Sequence, residues 1–296
     1  MTDHTPNAIQ ARIESFPALP DIVTKVMAVT ANPESSAGDL MRVILPDQSM
    51  CAAILKVANS AFFGMPREVA TIERAVVVLG FEEIKNIVIG KAIFTSFPRM
   101  SRETRQNIGL FWEHTFTCGL AAKVIAEQLR LSASELFLAG LIHDVGKLAM
   151  FLAYPDTYPL LRAASGMALE DPLAEERRRF AISHDQAGLL LARRWLLPPQ
   201  LAMAIGYHHQ PGAAPEQNRY PLIVQIADTL ALIDSTPGAF RPEDIVRIFN
   251  DFLPETRRLW EEFGLAWNDD DLGLWFERLQ QSRRKDQSVL GVFTAA

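Results

Sequence analysis

Apolar residues recur along this chain at three- and four-residue spacing and almost nowhere alternate one by one. Leu40, Val43 and Ile44, and then Ile54, Leu55 and Ala58, each fall on one side of a helix of about three turns. Proline-containing turns separate the helices: Phe16-Pro17-Ala18-Leu19-Pro20, Asn32-Pro33, Leu45-Pro46-Asp47 and Gly64-Met65-Pro66. The β-branched stretch Ala75 to Leu79 could pass for a strand. Gly80 followed by Phe81-Glu82-Glu83-Ile84 predicts instead a helix that stops and restarts. From Phe111 to Asp234 the helical spacing continues, punctuated by Pro155, Pro172, Pro198-Pro199 and Pro211. Beyond Phe240 come further helices rich in Trp260, Trp267 and Trp275, and then the charged run Arg283-Arg284-Lys285. The expected fold is all-α, a two-lobed helical bundle. The polar stretch Pro98 to Gln106 connects the lobes, giving an amino-terminal lobe over 1–100, a second over 101–236 and a helical extension over 237–296.

Composition narrows the function classes. With 296 residues, 49% hydrophobic and 22% charged, the chain can bury a large core. A net charge of −6 supplies no overall basic field, which argues against nucleic acid as a partner. Met1 to Ala11 lack the apolar centre of a secretion signal, and no run of about 18 apolar residues stands out, so a cytoplasmic protein without a membrane span is expected. Cys51 and Cys118 are far apart and form no CxxC, which disfavours a disulfide framework or a cysteine-based zinc module. Cys118 reads as a core thiol; beside a metal it would alternatively be an oxidisable input.

The candidate chemistry lies where polar groups interrupt apolar helices. Ser132-Ala133-Ser134-Glu135 predicts a capping box at the start of a buried helix running to Tyr154. From Leu136 up to Tyr154 the only ionisable interruptions are His143, Asp144 and Lys147. An ionised carboxylate buried there costs several kcal/mol unless it is paired or bound to a cation. Two readings satisfy it: an Asp144–Lys147 ion pair three residues apart with His143 hydrogen-bonded in the core, or a metal. The other histidines favour the metal. Of the six in the chain, all but His4 fall in the second lobe. His114 shares an apolar face with Cys118, Ala121 and Ile125. His184 opens the helix Asp185 to Trp195, ahead of Leu189, Leu190 and Leu191. His208 and His209 close the apolar segment Leu201 to Tyr207, one expected at the site and one at its rim, and Asp228 interrupts Ile223 to Leu230. Imidazoles and carboxylates brought together from five helices suit one or two divalent transition-metal ions, iron or manganese first, then nickel or zinc.

His143-Asp144-Val145-Gly146-Lys147, preceded by His114 and followed by Asp228, resembles the signature of the HD phosphohydrolase superfamily. The wider order, with His184 and His208-His209, is similar to its HD-GYP phosphodiesterase branch. Leu19-Pro20, the block Leu55-Lys56-Val57-Ala58-Asn59-Ser60-Ala61-Phe62-Phe63-Gly64, Ile72-Glu73-Arg74-Ala75-Val76 and Trp195-Leu196-Leu197-Pro198 resemble the HDOD family. That resemblance implies a bacterial signal-transduction module, in a family where many members have lost the HD ligands. Here His114, His143, Asp144, His184, His208, His209 and Asp228 keep the positions of metal ligands. The resemblance implies a metal site that senses a phosphorylated ligand and signals to a partner protein. The alternative is an active metal-dependent phosphohydrolase on a nucleotide or cyclic dinucleotide. There a bound metal would activate water for attack on phosphorus, Asp144 and Lys147 would be catalytic, and Lys147 would neutralise a substrate phosphate. Gln210-Pro211-Gly212-Ala213 stands where Gly-Tyr-Pro would follow the histidine pair, which weighs against cyclic di-GMP hydrolysis. A third reading leaves the histidines as core hydrogen bonders with no metal at all.

Overall fold

Short polar caps set where the helices of the smaller unit begin. The structure, a computed structural model, describes residues 13–14, 16–60, 63–97, 102–155, 157–158, 160, 172–215, 218–236, 238, 240–253, 255–265 and 268–294. His4, Phe62 and Trp267 lie outside them, as do Met1 to Ala11. Among the described residues there is no strand. Two compact units form, one from residues 17–100 with 281–296, the other from 1–16 with 101–280.

In the smaller unit, α1 spans Asp21–Ala31, α2 Ala37–Ile44, α3 Gln48–Ala58, α4 Ile72–Leu79 and α5 Phe81–Ser96. Ser36 and Asp39 form a reciprocal capping box at α2, Asp47 accepts from the Met50 amide at α3, and Thr71 from the Arg74 amide at α4. The β-branched run is helical as expected. Gly80, at φ +83°, ends α4 and starts α5, a conformation that only glycine adopts cheaply. Leu40, Ile44, Ile54, Ala58, Ile84 and Ile93 are buried between these helices. Asn59 works as a clamp: its carboxamide accepts from the Val69 amide (2.7 Å) and donates to the Val69 carbonyl (2.8 Å), pinning the loop ahead of α4.

The larger unit holds α6 (Arg102–Leu129), α7 (Ala133–Ile142), α8 (Val145–Ala153), α9 (Pro172–Phe180), α10 (His184–Arg194), α11 (Pro199–Tyr207), α12 (Arg219–Ser235), α13 (Pro242–Phe252) and α14 (Thr256–Glu262). Helix α6 begins inside the stretch expected as a connection. Glycines let its partners approach. A methyl group at Gly140 of α7 would stand 2.8 Å from the Gly119 Cα of α6. One at Gly146 of α8 would stand 1.8 Å from the His184 carbonyl oxygen and 2.6 Å from the Gly188 nitrogen of α10.

Two local expectations are corrected. The apolar run after Ser132 is not one helix: it breaks at His143-Asp144, with Asp144 at φ −95°, ψ 12°, in the sparsely populated bridge region. The Ser132 side chain makes no capping bond, and the Glu135 carboxylate, the other half of the expected box, accepts from the Tyr220 hydroxyl of α12 at 2.7 Å. Ala133–Ala153 is moreover long and apolar enough to cross a membrane by composition, contrary to the reading that no such run exists. In its most apolar window, 83% of the residues are buried inside the protein, as befits a core segment.

The last helix, α15 (Asp269–Thr294), is divided between the units. Near its start, Trp275 Nε1 donates to Gln128 Oε1 (2.9 Å), Gln128 Nε2 donates to Asp271 (2.6 Å), and Arg278 pairs with Glu127. Its end belongs to the smaller unit, where Val289, Val292 and Phe293 are buried and Phe293 packs on Phe94. There the buried Lys91 ammonium donates to the carbonyls of Val292 (3.2 Å) and Phe293 (3.4 Å), capping the helix. Burial holds the Lys91 pKa below the ordinary lysine value.

Candidate metal centre

All seven residues read as ligands come together within the larger unit. His114 projects from the middle of α6 and Asp228 from α12, while His143 and Asp144 form the break between α7 and α8. His184 is the first residue of α10, and His208-His209 follow the end of α11. Most of the set therefore sits at helix ends, where a turn can aim a side chain inward without displacing a packed helical face.

The ligand atoms form two groups, each with its atoms within 4.8 Å of one another: Asp144, His184, His208 and His209, and beside them His114, His143 and Asp228. Asp144 faces both. Its Oδ1 lies 3.3 Å from His184 Nε2 and 3.6 Å from His208 Nε2. Its Oδ2 lies 3.4 Å from His143 Nε2 and 3.9 Å from His114 Nε2. His114 Nε2 meets Asp228 Oδ1 at 2.9 Å, and His184 and His209 meet Nε2 to Nε2, also at 2.9 Å. Nitrogen ligands about 2.1 Å from a common ion stand roughly 3 Å or a little more apart, so these separations suit shared cations. His208 and His209 both face the centre, rather than one standing at its rim.

Backbone and carboxylate partners fix the imidazole orientations. His143 Nδ1 donates to the Gly140 carbonyl (2.7 Å), and His208 Nδ1 to the Ile205 carbonyl (3.0 Å). His184 Nδ1 donates to Glu176 (2.8 Å). Each of these acceptors lacks a proton to give, so each Nδ1 carries the hydrogen and each Nε2 is left for the centre. Four of the atoms so presented, His143 Nε2, His208 Nε2, Asp144 Oδ1 and Asp228 Oδ1, are buried without a hydrogen-bond partner. A buried polar atom without a partner costs about 1–3 kcal/mol, and more when charged. Four of them converging is the arrangement that a cation satisfies.

The charges are mixed. Burial opposes ionisation of Asp144, but His143 and Lys147 hold its carboxyl far below the usual range. Asp228 is likewise lowered against burial, by the imidazoles of His114 and His143 beside it. Burial opposes the His143 cation, yet Asp144 raises its pKa well above normal. At His184, burial and the Lys147 charge are outweighed by the nearby Asp144 and Glu176 carboxylates, and its pKa rises to about 9. Burial lowers His208, and it lowers His209 strongly with the help of the neighbouring imidazoles.

Lys147 donates to Asp144 Oδ2, so the ion pair expected from the sequence forms within the ligand cluster. His114, Lys147 and Asp228, with side chains 17%, 27% and 14% exposed, line the open side. Cys118 is fully buried, and burial raises its thiol pKa, which fits the core-thiol reading.

The residues that hold the ligands were not visible in the local sequence pattern. Glu176 sits in Ala174-Glu175-Glu176-Arg177-Arg178-Arg179, which looks like a solvated charged face. Gln225 donates to the His209 carbonyl (3.2 Å) and accepts from the buried Thr256 hydroxyl (3.2 Å), tying α14 to a ligand. Only the fold brings residues so distant in sequence together.

A family model of the HDOD domain matches residues 16–211. Among curated proteins, an uncharacterized protein of Treponema pallidum is 26% identical over 250 residues, 82% of this chain and 47% of that protein. A ribonuclease Y of Thermus thermophilus is 30% identical over 129 residues, 44% of this chain and 17% of that protein. The chain thus spans about half the length of the first and less of the second. Among solved structures, a provisionally assigned phosphohydrolase from Shewanella amazonensis superposes with a TM-score of 0.72 at 21% identity, covering 98% of this chain and 100% of that one. An HDOD domain protein of unknown function from Geobacter sulfurreducens gives 0.67 at 22%, covering 99% and 100%. At these identities the likeness is one of fold.

Proposed function

Because the chain belongs to the HDOD family, we propose that it is a cytoplasmic signalling protein whose His/Asp centre holds one or two transition-metal ions, binds a phosphorylated ligand and passes that state to a partner protein. The observation that carries this reading is that four buried, unpartnered ligand atoms face inward, two in each of the two adjoining ligand groups. His184, His208, His209 and Asp144 would hold one ion, and His114, His143, Asp228 and the other oxygen of Asp144 a second. Nitrogen and carboxylate ligands without thiolate favour iron or manganese, with nickel or zinc next. A bound cation supplies Lewis acidity towards a phosphoryl oxygen and activates water. The chain's own contribution is to orient: carbonyl and carboxylate acceptors hold the imidazoles, and Lys147 places an ammonium at the open side, where an anionic ligand arrives.

Hydrolysis is the second reading, and the completeness of both ligand groups favours it. The likeness to a ribonuclease Y points to phosphodiester chemistry, whereas a net charge of −6 gives no overall field for holding RNA.

The test is bound metal in protein purified anaerobically without chelator, followed by a screen of nucleotides and cyclic dinucleotides for binding and turnover. One or two equivalents with ligand binding and no turnover supports the sensor. Turnover establishes the hydrolase, and protein that stays metal-free after reconstitution sinks both.

Metal uptake should also depend on pH. His143 and His184 are raised above the ordinary histidine value, the latter to about 9, so both carry a proton at neutral pH that a cation must displace. Affinity should therefore rise as pH rises from about 6 towards 9. Calorimetry in buffers of differing ionisation enthalpy should show proton release; uptake independent of pH would contradict these protonation states.

A further inference from the structure

The two ligand groups are not equivalent, and three observations rank them. The first is the support behind His184. Glu176 Oε2 accepts both the His184 backbone amide (2.7 Å) and its Nδ1 hydrogen (2.8 Å), while the Tyr158 hydroxyl donates to Glu176 Oε1 (2.8 Å). His143 and His208 are backed by neutral carbonyls; His184 alone of these three is backed by a carboxylate, which makes its Nε2 the more basic donor. The chain is shaped to make this contact. Helix α9 ends at Ala181, at φ +60°, which turns the chain back so that Glu176 reaches His184, and Phe180 packs on Tyr154 and Tyr158.

The second is shielding. The Glu176-backed group has four ligand residues, of which Asp144, His184 and His208 are almost wholly buried. The other has His114, His143 and Asp228, two of them partly exposed. The third is the shared carboxylate. Asp144 Oδ1, facing the Glu176-backed group, has no hydrogen-bond partner, whereas Oδ2, facing the other group, is already held by the Lys147 ammonium.

We propose that the chain loads in order: the group of Asp144, His184, His208 and His209 takes its cation first and holds it more tightly, with Glu176 as its positioning residue. The group of His114, His143 and Asp228 fills second, once Lys147 is displaced from Asp144. Lys147 is a stand-in cation in the singly loaded protein, released only when the second ion arrives. The singly and doubly loaded states then differ in where an ammonium points at the open side of the site. This rests on the metal reading above and goes beyond it.

The experiment is an anaerobic titration of chelator-stripped protein with Mn²⁺ alone, counting free ion by electron paramagnetic resonance. Wild type should bind two equivalents in separate steps, the first at least about tenfold tighter. Glu176→Gln removes the charge while its one carboxamide oxygen can still accept from His184 and its NH2 can donate to the Tyr158 hydroxyl. It should weaken the first step by about 10–100-fold, the range for loss of an outer-shell partner, with the second step and the melting temperature unchanged. Lys147→Met should tighten the second step. Two equal steps in wild type, or Glu176→Gln weakening both steps alike, would overturn the loading order while leaving the metal site intact. No Mn²⁺ uptake at all would overturn the metal reading and the order with it.

Discussion

Replacing Asp144 with alanine should empty both halves of the centre at once and destabilise the metal-free protein as well. Asp144 is the residue whose two oxygens face the two ligand groups, so no variant of a single histidine removes as much. Metal content is expected to fall from one or two equivalents to below about a tenth, read by inductively coupled plasma mass spectrometry. Stability falls for a separate reason. The carboxylate is 1% exposed and lies against Lys147 and His143, whose charges it balances. Removing one partner of a buried pair strands the other and costs about 3–5 kcal/mol. Asp144→Asn separates the effects: it keeps the side-chain volume and an acceptor for Lys147, so it should lose the metal with a smaller loss of melting temperature. Metal retained in both variants would show that the ligand set lies elsewhere.

Gly146→Ala should be as damaging without touching a ligand. The added methyl would meet the His184 carbonyl oxygen at 1.8 Å and the Gly188 nitrogen at 2.6 Å, and both are backbone atoms that no rotamer change can move. Relief requires α8 and α10 to separate. Overpacking costs about 1–3 kcal/mol where side chains can yield; backbone against backbone belongs at or above the top of that range. At about 2–4 °C per kcal/mol for a protein of this size, a fall of roughly 6–12 °C is expected. Because the displaced carbonyl belongs to His184, metal should be lost in parallel. Gly109→Ala is the control. It is also helical but has nothing within 4 Å of the added methyl, and should gain about 0.5–1 kcal/mol. An unchanged melting temperature in Gly146→Ala would mean that the helices are not so closely apposed.

The ligand set was legible in the sequence because each member breaks an apolar run, where a polar residue needs a physical reason. The helical periodicity and the stop at Gly80 were legible on the same grounds. The break at His143-Asp144 was not. Ile142 and Val145 continue the apolar pattern on either side, and neither glycine nor proline marks the site, since the turn is stabilised by what surrounds it. The capping box at Ser132 does not form, and its Glu135 carboxylate is taken by Tyr220, 85 residues beyond Glu135. Glu176 was hidden by its charged neighbours, and the clamp that Asn59 makes on Val69 joins segments ten residues apart with no local signal. Each miss is a contact between segments distant in sequence or in their local pattern, which periodicity alone does not register.

The cap that Lys91 places on the end of α15 bears on how the protein is made. Residues 17–100 leave the ribosome early, yet their unit includes Val289, Val292 and Phe293, which are translated after the entire larger unit. Until then, the apolar side of α5 lacks Phe293, and the Lys91 ammonium lacks the Val292 and Phe293 carbonyls. Nascent chains usually fold from the amino end in sequence. Here the first-made unit is closed last, so a chain stopped short of Val289 would expose a greasy, half-finished bundle to chaperones and proteases even though its metal ligands had all been synthesised.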